Sequence, residues 1–443
     1  MFPKSSGFAL LVSAFFCTDA LAVGFGLEHQ SVSNMGYAFA GGAANAEDAS
    51  TIFWNPAGMT RLPGRQAVLG LNAIYGSARF SDRGTTSPAG PAFPITGGDG
   101  GNPVGLNWVP NLYYAMDLTP QLKAGIGVNS PFGLKTNYPS DWMGRYHAID
   151  SELKSFNINP SLAWKVREGV SLGVGLNAQY FDATLSNAID YGAACFAAFG
   201  PAACAGAGIT PQSRDGIAKV SGDSWGWGWN VGALFELSPA TRLGIAYRSS
   251  IKHEIKGRAT FQNPALPGAF AALTAGAQDT GARSTLKTPD TLSASLYTEL
   301  TSNWSVLGDV TWTDWSKFRE LRVRFDNGSP DAVTPENWRN TVRVSLGAGY
   351  SLDDRWTLRG GIAYENSAIR DEFRTPRIPD NAHRLIALGA NYKVSKSGSL
   401  DLGYMHAFVK DAPVNTSTPT AGTLVGTYKV RADVLSLQYN HSF

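Results

Sequence analysis

The chain ends with the residues Val434-Leu-Ser-Leu-Gln-Tyr-Asn-His-Ser-Phe443, and this stretch decides the fold class. Its larger apolar and aromatic side chains occupy every second position, at Leu435, Leu437, Tyr439, His441 and Phe443. Successive side chains of a β-strand point to opposite faces. The pattern therefore predicts a strand with one oily face and one mainly polar face.

The same period of two returns in other parts of the chain. Residues 170–181 place Val, Leu, Val, Leu, Ala and Tyr on one face and small or polar residues on the other. Residues 342–350 and 400–408 repeat this arrangement. The strands of soluble sandwiches also alternate, so the period alone does not distinguish a β-sandwich from a β-barrel.

Loop lengths favour the barrel. Candidate strands begin near residues 65, 104, 121, 148, 169, 217, 241, 284, 304, 339, 355, 382, 398 and 427. Short connections such as 118–121 and 353–354 alternate with long segments rich in Gly, Pro, Ser and Thr. An even number of strands, with short turns at one rim and long loops at the other, is typical of outer-membrane proteins. We therefore predict an all-β fold, a membrane-spanning 14-stranded antiparallel β-barrel.

The N-terminus predicts export. Lys4 precedes an apolar run at 8–17 and the small residues Ala20 and Ala22, which is the layout of a secretory signal peptide. The run is shorter than the roughly 20 residues of a membrane-spanning helix. We expect cleavage after Ala22 and a location in the outer membrane of a Gram-negative bacterium. The aromatic C-terminus is similar to the signal that outer-membrane assembly machinery reads, so that machinery is expected to recognise Phe443.

Residues 23–64 show no sustained alternation, yet they are too apolar for a disordered tail. A barrel of this size is too wide for its own wall side chains to fill. We therefore predict that this segment plugs the lumen. The expected organisation is a signal peptide at 1–22, a plug at 23–64 and a barrel at 65–443.

Other classes of function find little support in the sequence. The net charge is +2 without basic blocks, so nucleic acid is not an expected partner. The six histidines lack metal-ligand spacing. The stretch from Gly173 to Ala178 matches a dinucleotide fingerprint, but it lies within an alternating strand. We predict no enzyme, no cofactor and no metal, and a monomer in contact with outer-membrane lipids and lipopolysaccharide.

Two further pairings are expected. In an exported chain the close spacing of Cys195 and Cys204 favours a local disulfide over two free thiols. Charges on the lumen face of the strands are expected to join strand to strand or barrel to plug, because such charges commonly pair. These charges include Asp309, Arg343, Arg359 and Asp401.

An ordered set of motifs resembles the FadL family, the outer-membrane transporters of long-chain fatty acids, which has aromatic-hydrocarbon relatives of the TodX type. The motifs are Asn55-Pro56-Ala57-Gly58 after Glu47-Asp48, residues 130–136 (SPFGLKT), residues 225–230 (WGWGWN) followed by 244–249 (GIAYRS), residues 312–318, and Arg377-Ile378-Pro379-Asp380. They run from the N-terminus to the last strands, so the resemblance covers essentially the whole mature chain.

The resemblance implies that the plug is a hatch whose gate lies near an inward kink in the third strand. Pro lacks a ladder donor and Gly weakens pairing, so such a kink can leave a lateral exit. Without the family, both motifs indicate only a turn or the start of an outer loop. The gate residues would be Asn55, Pro56, Ala57 and Gly58, and the kink residues Ser130, Pro131, Phe132 and Gly133.

The family also captures ligands in an apolar groove between two outer loops. In this chain the loops are 195–204 and 264–274, and exposed apolar loops are otherwise a liability. The candidate capture residues are Phe196, Phe199, Leu266, Phe270 and Leu273.

The expected function is passive uptake of hydrophobic molecules, either long-chain fatty acids or aromatic hydrocarbons. A lateral exit avoids hydrating the alkyl chain, at about 0.8 kcal/mol per CH₂. The family gives fatty acids a basic partner, but this chain reads Asp182-Ala-Thr-Leu185 after the fifth strand, which keeps hydrocarbons open. A general polar porin is an alternative, although it would not need an apolar plug. A surface adhesin or receptor is another.

Overall fold

Residues 24–443 are described by a computed structural model, and the predicted signal peptide at 1–22 lies outside the described residues. They contain twenty β-segments in one antiparallel sheet. The segments are β1 (Gln66–Asp82), β2 (Gly105–Asp117), β3 (Leu122–Asn129), β4 (Gly133–Asn137), β5 (Asp150–Arg167), β6 (Val170–Asp190), β7 (Asp215–Glu236), β8 (Thr241–Arg248), β9 (Lys252–Gln262), β10 (Thr280–Lys287), β11 (Thr291–Glu299), β12 (Trp304–Thr313), β13 (Glu320–Phe325), β14 (Ala332–Pro335), β15 (Thr341–Ser351), β16 (Trp356–Glu365), β17 (His383–Lys393), β18 (Gly398–Val409), β19 (Ala412–Thr418) and β20 (Gly422–Ser442).

The sheet closes into a barrel. The ladder between β1 and β20 runs from the pair Gln66–Ser442 to the pair Asp82–Gly426. Some strands consist of two collinear segments, and when these are joined the barrel has 14 strands, which confirms the predicted fold class. Because the first strand pairs with the last, the wall has no free edge.

Several barrel strands are interrupted at one level. The third strand breaks at 130–132, the seventh at 249–251, the eighth at 288–290 and the ninth at 314–319. Three of these breaks are aligned, because Arg248 pairs with Thr291 and Thr291 pairs with Thr313. The breaks separate a barrel with an apolar outer face from an extension on the side of the long loops.

The apolar outer face identifies the membrane-spanning band. Along β20, Leu435 and Leu437 are more than half exposed, whereas Ser436 and Gln438 are buried towards the lumen. This is the orientation that the alternation in the sequence predicts. None of the helices within residues 24–443 is both long and apolar enough to cross a membrane.

Short helices lie in the plug and in the outer loops. The plug contains α1 (Val32–Met35), α2 (Thr51–Trp54) and a 3-10 helix at Pro56–Arg61. The loop after β6 contains α3 (Tyr191–Phe199) and α4 (Pro201–Gly206). Further 3-10 helices span Gly268–Thr274, Trp315–Lys317 and Asp371–Phe373.

Residues 24–64, here called the plug, pack against the inner wall of the barrel. Tyr37, Phe39 and Ile52 expose at most 1% of their surface. Glycines of the wall permit this close approach, because a Cβ at Gly244 would collide with the backbone of Ala43, and one at Gly361 with that of Tyr37. The apolar character that predicted a plug is therefore satisfied by contact with the inner wall.

Candidate functional site

Two cavities with many apolar lining residues lie in the lumen beside the N-terminal part of the plug. The outer cavity measures about 800 Å³ on the side of the long loops, and the inner cavity about 820 Å³ nearer the membrane-spanning barrel, both including space that is open to solvent. The outer cavity is lined mainly by apolar side chains, including Phe25, Leu134, Leu153, Leu185, Val220, Ile255, Leu286, Phe318, Leu321, Val323 and Ile378. The inner cavity is lined by Leu27, Phe53, Trp54, Pro131, Phe132, Tyr247, Arg248 and Trp315, among others.

A cluster of aromatic rings separates the two cavities. The ring of Phe25 lies 4.8 Å from that of Trp315 and 5.8 Å from that of Phe132, centroid to centroid. It also lies 5.6 Å from the rings of Phe318 and Trp338. Phe25 and Phe318 face the outer cavity, whereas Phe132 and Trp315 face the inner one. The N-terminal end of the plug thus supplies the central ring of a closed constriction.

The third strand is kinked beside this constriction. Pro131 has no N–H to donate, and the ladder between β2 and β3 runs only from Leu112–Val128 to Asp117–Lys123. Beyond the kink, β4 pairs with β5 alone, from Gly133–Lys154 to Asn137–Asp150. The part of β2 before Leu112 therefore lacks a ladder partner on that side, and the wall has a gap in its strand pairing.

The plug contacts the kink through its first residues. The N–H of Leu27 donates to the carbonyl of Pro131 at 2.8 Å, and the N–H of Gly133 donates to the carbonyl of Phe25 at 2.9 Å. The side-chain amide of Gln30 donates to the carbonyl of Ser130 at 2.8 Å. The chain that carries Phe25 is thus hydrogen-bonded to the kink, so a movement of either one affects the other.

The Asn55-Pro56-Ala57-Gly58 motif lies elsewhere. The Asn55 side chain donates to the carbonyls of Ala43 and Ala233 at 2.7 and 3.0 Å and accepts from the N–H of Ala57. A Cβ at Gly173 of β6 would collide with the backbone of Pro56 and Ala57. The motif is therefore anchored to β6 and β7 instead of to the kink. Gly173, which gave the dinucleotide-like pattern, is a site of plug contact.

Ion pairs join the plug to the wall. Arg343 of β15 pairs with Glu28 of the plug, and it lies 3.7 Å from Asp309 of β12. Arg359 of β16 pairs with Glu47 of the plug at 2.6 Å and also with Asp401 of β18. These contacts confirm the prediction that the lumen charges join strand to strand and barrel to plug.

The Arg377-Ile378-Pro379-Asp380 motif lies at the outer cavity. The Asp380 carboxylate accepts a hydrogen bond from the N–H of Gly24 at 3.0 Å, which fixes the start of the plug. Ile378 lines the cavity beside Phe25. Arg377 lines it too and donates to Ser151 Oγ and to the carbonyl of Asp150 at 2.9 and 3.0 Å.

The guanidinium of Arg377 is hydrogen-bonded to neutral acceptors, including Ser151 Oγ and the carbonyls of Asp150 and Ser186. Within residues 24–443 it forms no ion pair with a carboxylate. Glu336 lines the same cavity, but burial raises the pKa of its carboxyl to about 8, so it is mostly neutral at pH 7. Arg248 is the corresponding cation of the inner cavity. Its guanidinium donates hydrogen bonds to Asn177 Oδ1 and to the carbonyl of Phe53. Each cavity can therefore offer a cation to an anionic group.

The two outer loops that were predicted to capture ligand pack against each other. Cys195 and Cys204 are joined by a disulfide. The rings of Phe199 and Phe270 lie 5.1 Å apart, and that of Phe196 lies 5.2 Å from Phe93 of the first outer loop. Leu266, Phe270 and Leu273 pack with Phe196 around the disulfide and Ile209.

Some site residues were not predicted in these roles. Phe25 and Trp338 belong to the constriction, and only their aromatic character within the plug and within a long connection indicated them. Trp315 lies in the quoted stretch 312–318, which marked its position but not its place in the constriction. Arg248 and Arg377 lie in two of the quoted motifs, so the sequence marked their positions but not their cavities.

Known proteins are similar to this chain over most of its length. The model of the family described as "Outer membrane protein transport protein (OMPP1/FadL/TodX)" matches residues 13–443. The chain is 31% identical to the long-chain fatty acid transport protein of Escherichia coli O157:H7 over 92% of each chain, and 30% identical to outer membrane protein P1 of Haemophilus influenzae over 96% of each.

Solved structures show the same architecture. The crystal structure of a Pseudomonas aeruginosa FadL homologue superposes with a TM-score of 0.85 at 25% identity, covering 95% of this chain and all of that one. The Pseudomonas putida toluene transporter TodX has a TM-score of 0.65 at 18% identity, over 89% of this chain and 94% of its own. The similarity to TodX, at 18% identity, shows a shared fold only.

Proposed function

Because the chain belongs to the outer membrane protein transport protein family (OMPP1/FadL/TodX), we propose that it carries hydrophobic molecules, above all long-chain fatty acids, by passive diffusion through its barrel. The outer membrane is where it acts. The strongest support for this function is the order of three features along the lumen. The outer cavity comes first, the aromatic constriction follows, and the inner cavity lies beyond it. The inner cavity ends beside the kinked third strand.

The route begins at the outer loops. A ligand collects on the apolar surface formed by Phe196, Phe199 and Phe270 and enters the outer cavity. Displacement of Phe25 opens the aromatic constriction and gives access to the inner cavity. The ligand then leaves sideways between β2 and the kinked third strand, where the ladder is missing. This lateral release keeps the alkyl chain out of water.

The charge distribution favours a carboxylate at one end of the ligand. A long alkyl chain fits the apolar lining of the outer cavity, and Arg377 supplies a hydrogen-bond donor with a full charge. An aromatic hydrocarbon would use the apolar lining only. The E. coli relative bears the name of a long-chain fatty acid transport protein, which agrees with the carboxylate preference.

A general polar porin is the main competing function. A porin lumen is a water-filled channel with polar walls, whereas this lumen contains a buried plug that is joined to the wall by ion pairs. The plug therefore weighs against free passage of small polar solutes.

Uptake by cells that lack their own transporter of this family tests the proposal. Cells producing the protein are compared with cells carrying an empty vector for uptake of oleate, toluene and arabinose. We expect faster uptake of oleate, less effect on toluene and none on arabinose. Passage of arabinose without any gain in hydrophobic uptake would identify a porin instead.

A further inference from the structure

The outer face of the barrel carries a concentration of positive charge above the membrane-spanning band. Segments β9, β10 and β13 contain seven lysine and arginine residues but only two acidic residues, Glu254 and Glu320. Six of the seven cations are exposed. The intervening side chains, such as Ile255, Leu286 and Val323, face the outer cavity, so the alternation places the cations on the opposite, outer face of the strands, although Arg283 also borders this cavity.

The strand register places these cations opposite one another. Lys256 of β9 pairs with Arg283 of β10, and Arg283 pairs with Arg324 of β13, so three cations form one row across three strands. Lys252 and Lys287 form a second directly opposed pair. We name these five residues the basic ladder. Like charges directly opposite on a sheet destabilise it, so such an arrangement needs an anionic partner.

Neighbouring carboxylates neutralise this charge only in part. Arg283 lies 3.1 Å from Asp326, and Arg324 lies 3.7 Å from Asp331. Lys252 lies 2.6 Å from Glu254, and Asp223 of β7 is opposite Lys256. The side chains of Arg283 and Arg324 remain 65% and 72% exposed. Ion pairs that are this exposed to solvent contribute little to stability. Their guanidinium groups can therefore contact a further anion.

The position of the basic ladder identifies the class of partner. Trp225 and Trp227 of β7 are 53% and 73% exposed on the outer face, where tryptophan side chains lie at the membrane interface. Asp223, which is opposite Lys256, lies on the same face as Trp225 and one step further from the membrane. The basic ladder therefore starts where the acyl chains end and the headgroups begin.

We propose that the basic ladder binds the phosphates of a diphosphorylated glycolipid of the outer leaflet, the lipid A part of lipopolysaccharide. Trp225 and Trp227 contact its acyl chains, and Lys256, Arg283 and Arg324 contact a phosphate. Arginine and lysine are the side chains that bind phosphate best, and several of them in one row match a headgroup with two phosphates. The proposed contact uses the outer face of the strands and does not involve the transported ligand.

The test uses full-length protein refolded in detergent without lipopolysaccharide. Its thermal unfolding is followed while lipid A is added in mixed micelles, for the wild type and for the variant Lys256→Gln/Arg283→Gln/Arg324→Gln. Lipid A is expected to raise the unfolding temperature of the wild type, and the variant should bind it about tenfold more weakly or worse. Without lipid A the variant should unfold at the same temperature or higher, because the repulsion between cations is removed.

Two controls complete the experiment. The variant Lys165→Gln/Arg355→Gln/Lys396→Gln removes the same charge at the short-turn rim and should bind lipid A like the wild type. Dephosphorylated lipid A and phosphatidylglycerol should bind the wild type more weakly than lipid A does. Equal binding of lipid A by wild type and ladder variant would overturn the proposal, as would equal loss in the rim variant or indifference to the phosphates.

Discussion

Phe25 is the residue on which closure of the lumen depends most directly. Its ring contacts four other aromatic rings, and the chain on either side of it is hydrogen-bonded to Asp380 and to the third-strand kink. Because it belongs to the plug and not to the wall, it can move without breaking a barrel ladder. Phe25 is thus the central ring of the aromatic cluster between the two cavities.

Replacing Phe25 by Ala should open the constriction. We expect oleate uptake to rise severalfold, because the cavities become continuous without a movement of the plug. The change also removes a buried ring, at a cost of about 3–5 kcal/mol in stability. Phe80→Ala is the matched control, since Phe80 is equally buried in a cluster outside both cavities. A gain in uptake in both variants would point to general loosening.

Arg377 should determine the preference for an anionic ligand. In the Arg377→Gln variant we expect oleate uptake to fall about tenfold, because the variant loses one charge-assisted hydrogen bond to the carboxylate. Toluene uptake should stay unchanged. Arg355→Gln at the opposite rim should affect neither ligand. If oleate and toluene uptake fell together, Arg377 would have a structural role only.

Glu336 should make the binding of an anionic ligand dependent on pH. Its pKa is raised to about 8 by burial, so raising the pH through 8 places a negative charge beside Arg377. Binding of a long-chain alkyl sulfonate, which stays ionised throughout, should weaken above pH 8, and Glu336→Gln should remove this dependence. An unchanged pH profile in the variant would contradict the assignment.

The same shift affects stability. The folded protein holds the Glu336 proton more tightly than the unfolded chain, whose ordinary pKa is 4.5. The stabilisation is therefore present below pH 4.5 and is lost as the pH rises through about 8.

Among the secondary-structure elements, the third strand differs most from a regular barrel strand. Its break at 130–132 coincides with the missing ladder to β2, and the plug supplies hydrogen bonds to the kink in place of a neighbouring strand. Breaks in the seventh, eighth and ninth strands are different, because there the ladders resume in the outer extension.

Straightening the third strand should close the lateral route. In the Pro131→Val/Gly133→Val variant we expect oleate to bind in the lumen but its uptake to fall, because a valine in place of Pro131 restores an N–H donor to the strand. A Cβ at Gly133 would also lie 2.9 Å from Leu27 Cδ1, so Pro131→Val alone is measured as well. Pro160→Val in the intact ladder to β3 is the control. Normal uptake by a folded variant would exclude release at the kink.

At the scale of the whole molecule, the plug and the barrel are held together by charge. Arg343 and Arg359 each bind one carboxylate of the plug and one of the wall, so the wall pairs can persist when the plug pairs are lost. The first and last strands of the barrel are joined by a continuous ladder to which the plug does not contribute.

Loosening the plug should turn the barrel into a water channel. For the Glu28→Gln/Glu47→Gln variant we expect ion conductance in planar bilayers and entry of arabinose into cells, because a 14-stranded lumen without a plug is wide enough for water. Resistance of the barrel to unfolding in detergent should stay near that of the wild type. Glu168→Gln/Glu299→Gln, at the exposed short-turn rim, should not conduct. If the Glu28→Gln/Glu47→Gln variant showed no ion conductance, contacts other than these ion pairs would hold the plug in place.

The barrel could be predicted from local patterns in the sequence. Alternation along strands such as 434–443 specifies which face meets lipid, and loop lengths specify which rim carries the long loops, since both are local properties of the chain. The charges of the lumen wall could be predicted to pair because an unpaired charge there is costly. Strand ends beyond the membrane were less predictable, since β6 and β19 continue through segments rich in turn-forming residues.

The contacts between plug and wall could not be predicted from local patterns, because they depend on the tertiary fold. Asn55 reaches β6 and β7 instead of the kink, because Gly173 and Gly232 leave room there, and nothing local to Asn55 encodes that room. The constriction around Phe25 and the row of cations at Lys256 likewise join residues far apart in the chain. Their meeting depends on barrel closure and strand register, which set contacts over long sequence distances. The final strand, which closes the barrel against β1, thus makes these contacts possible.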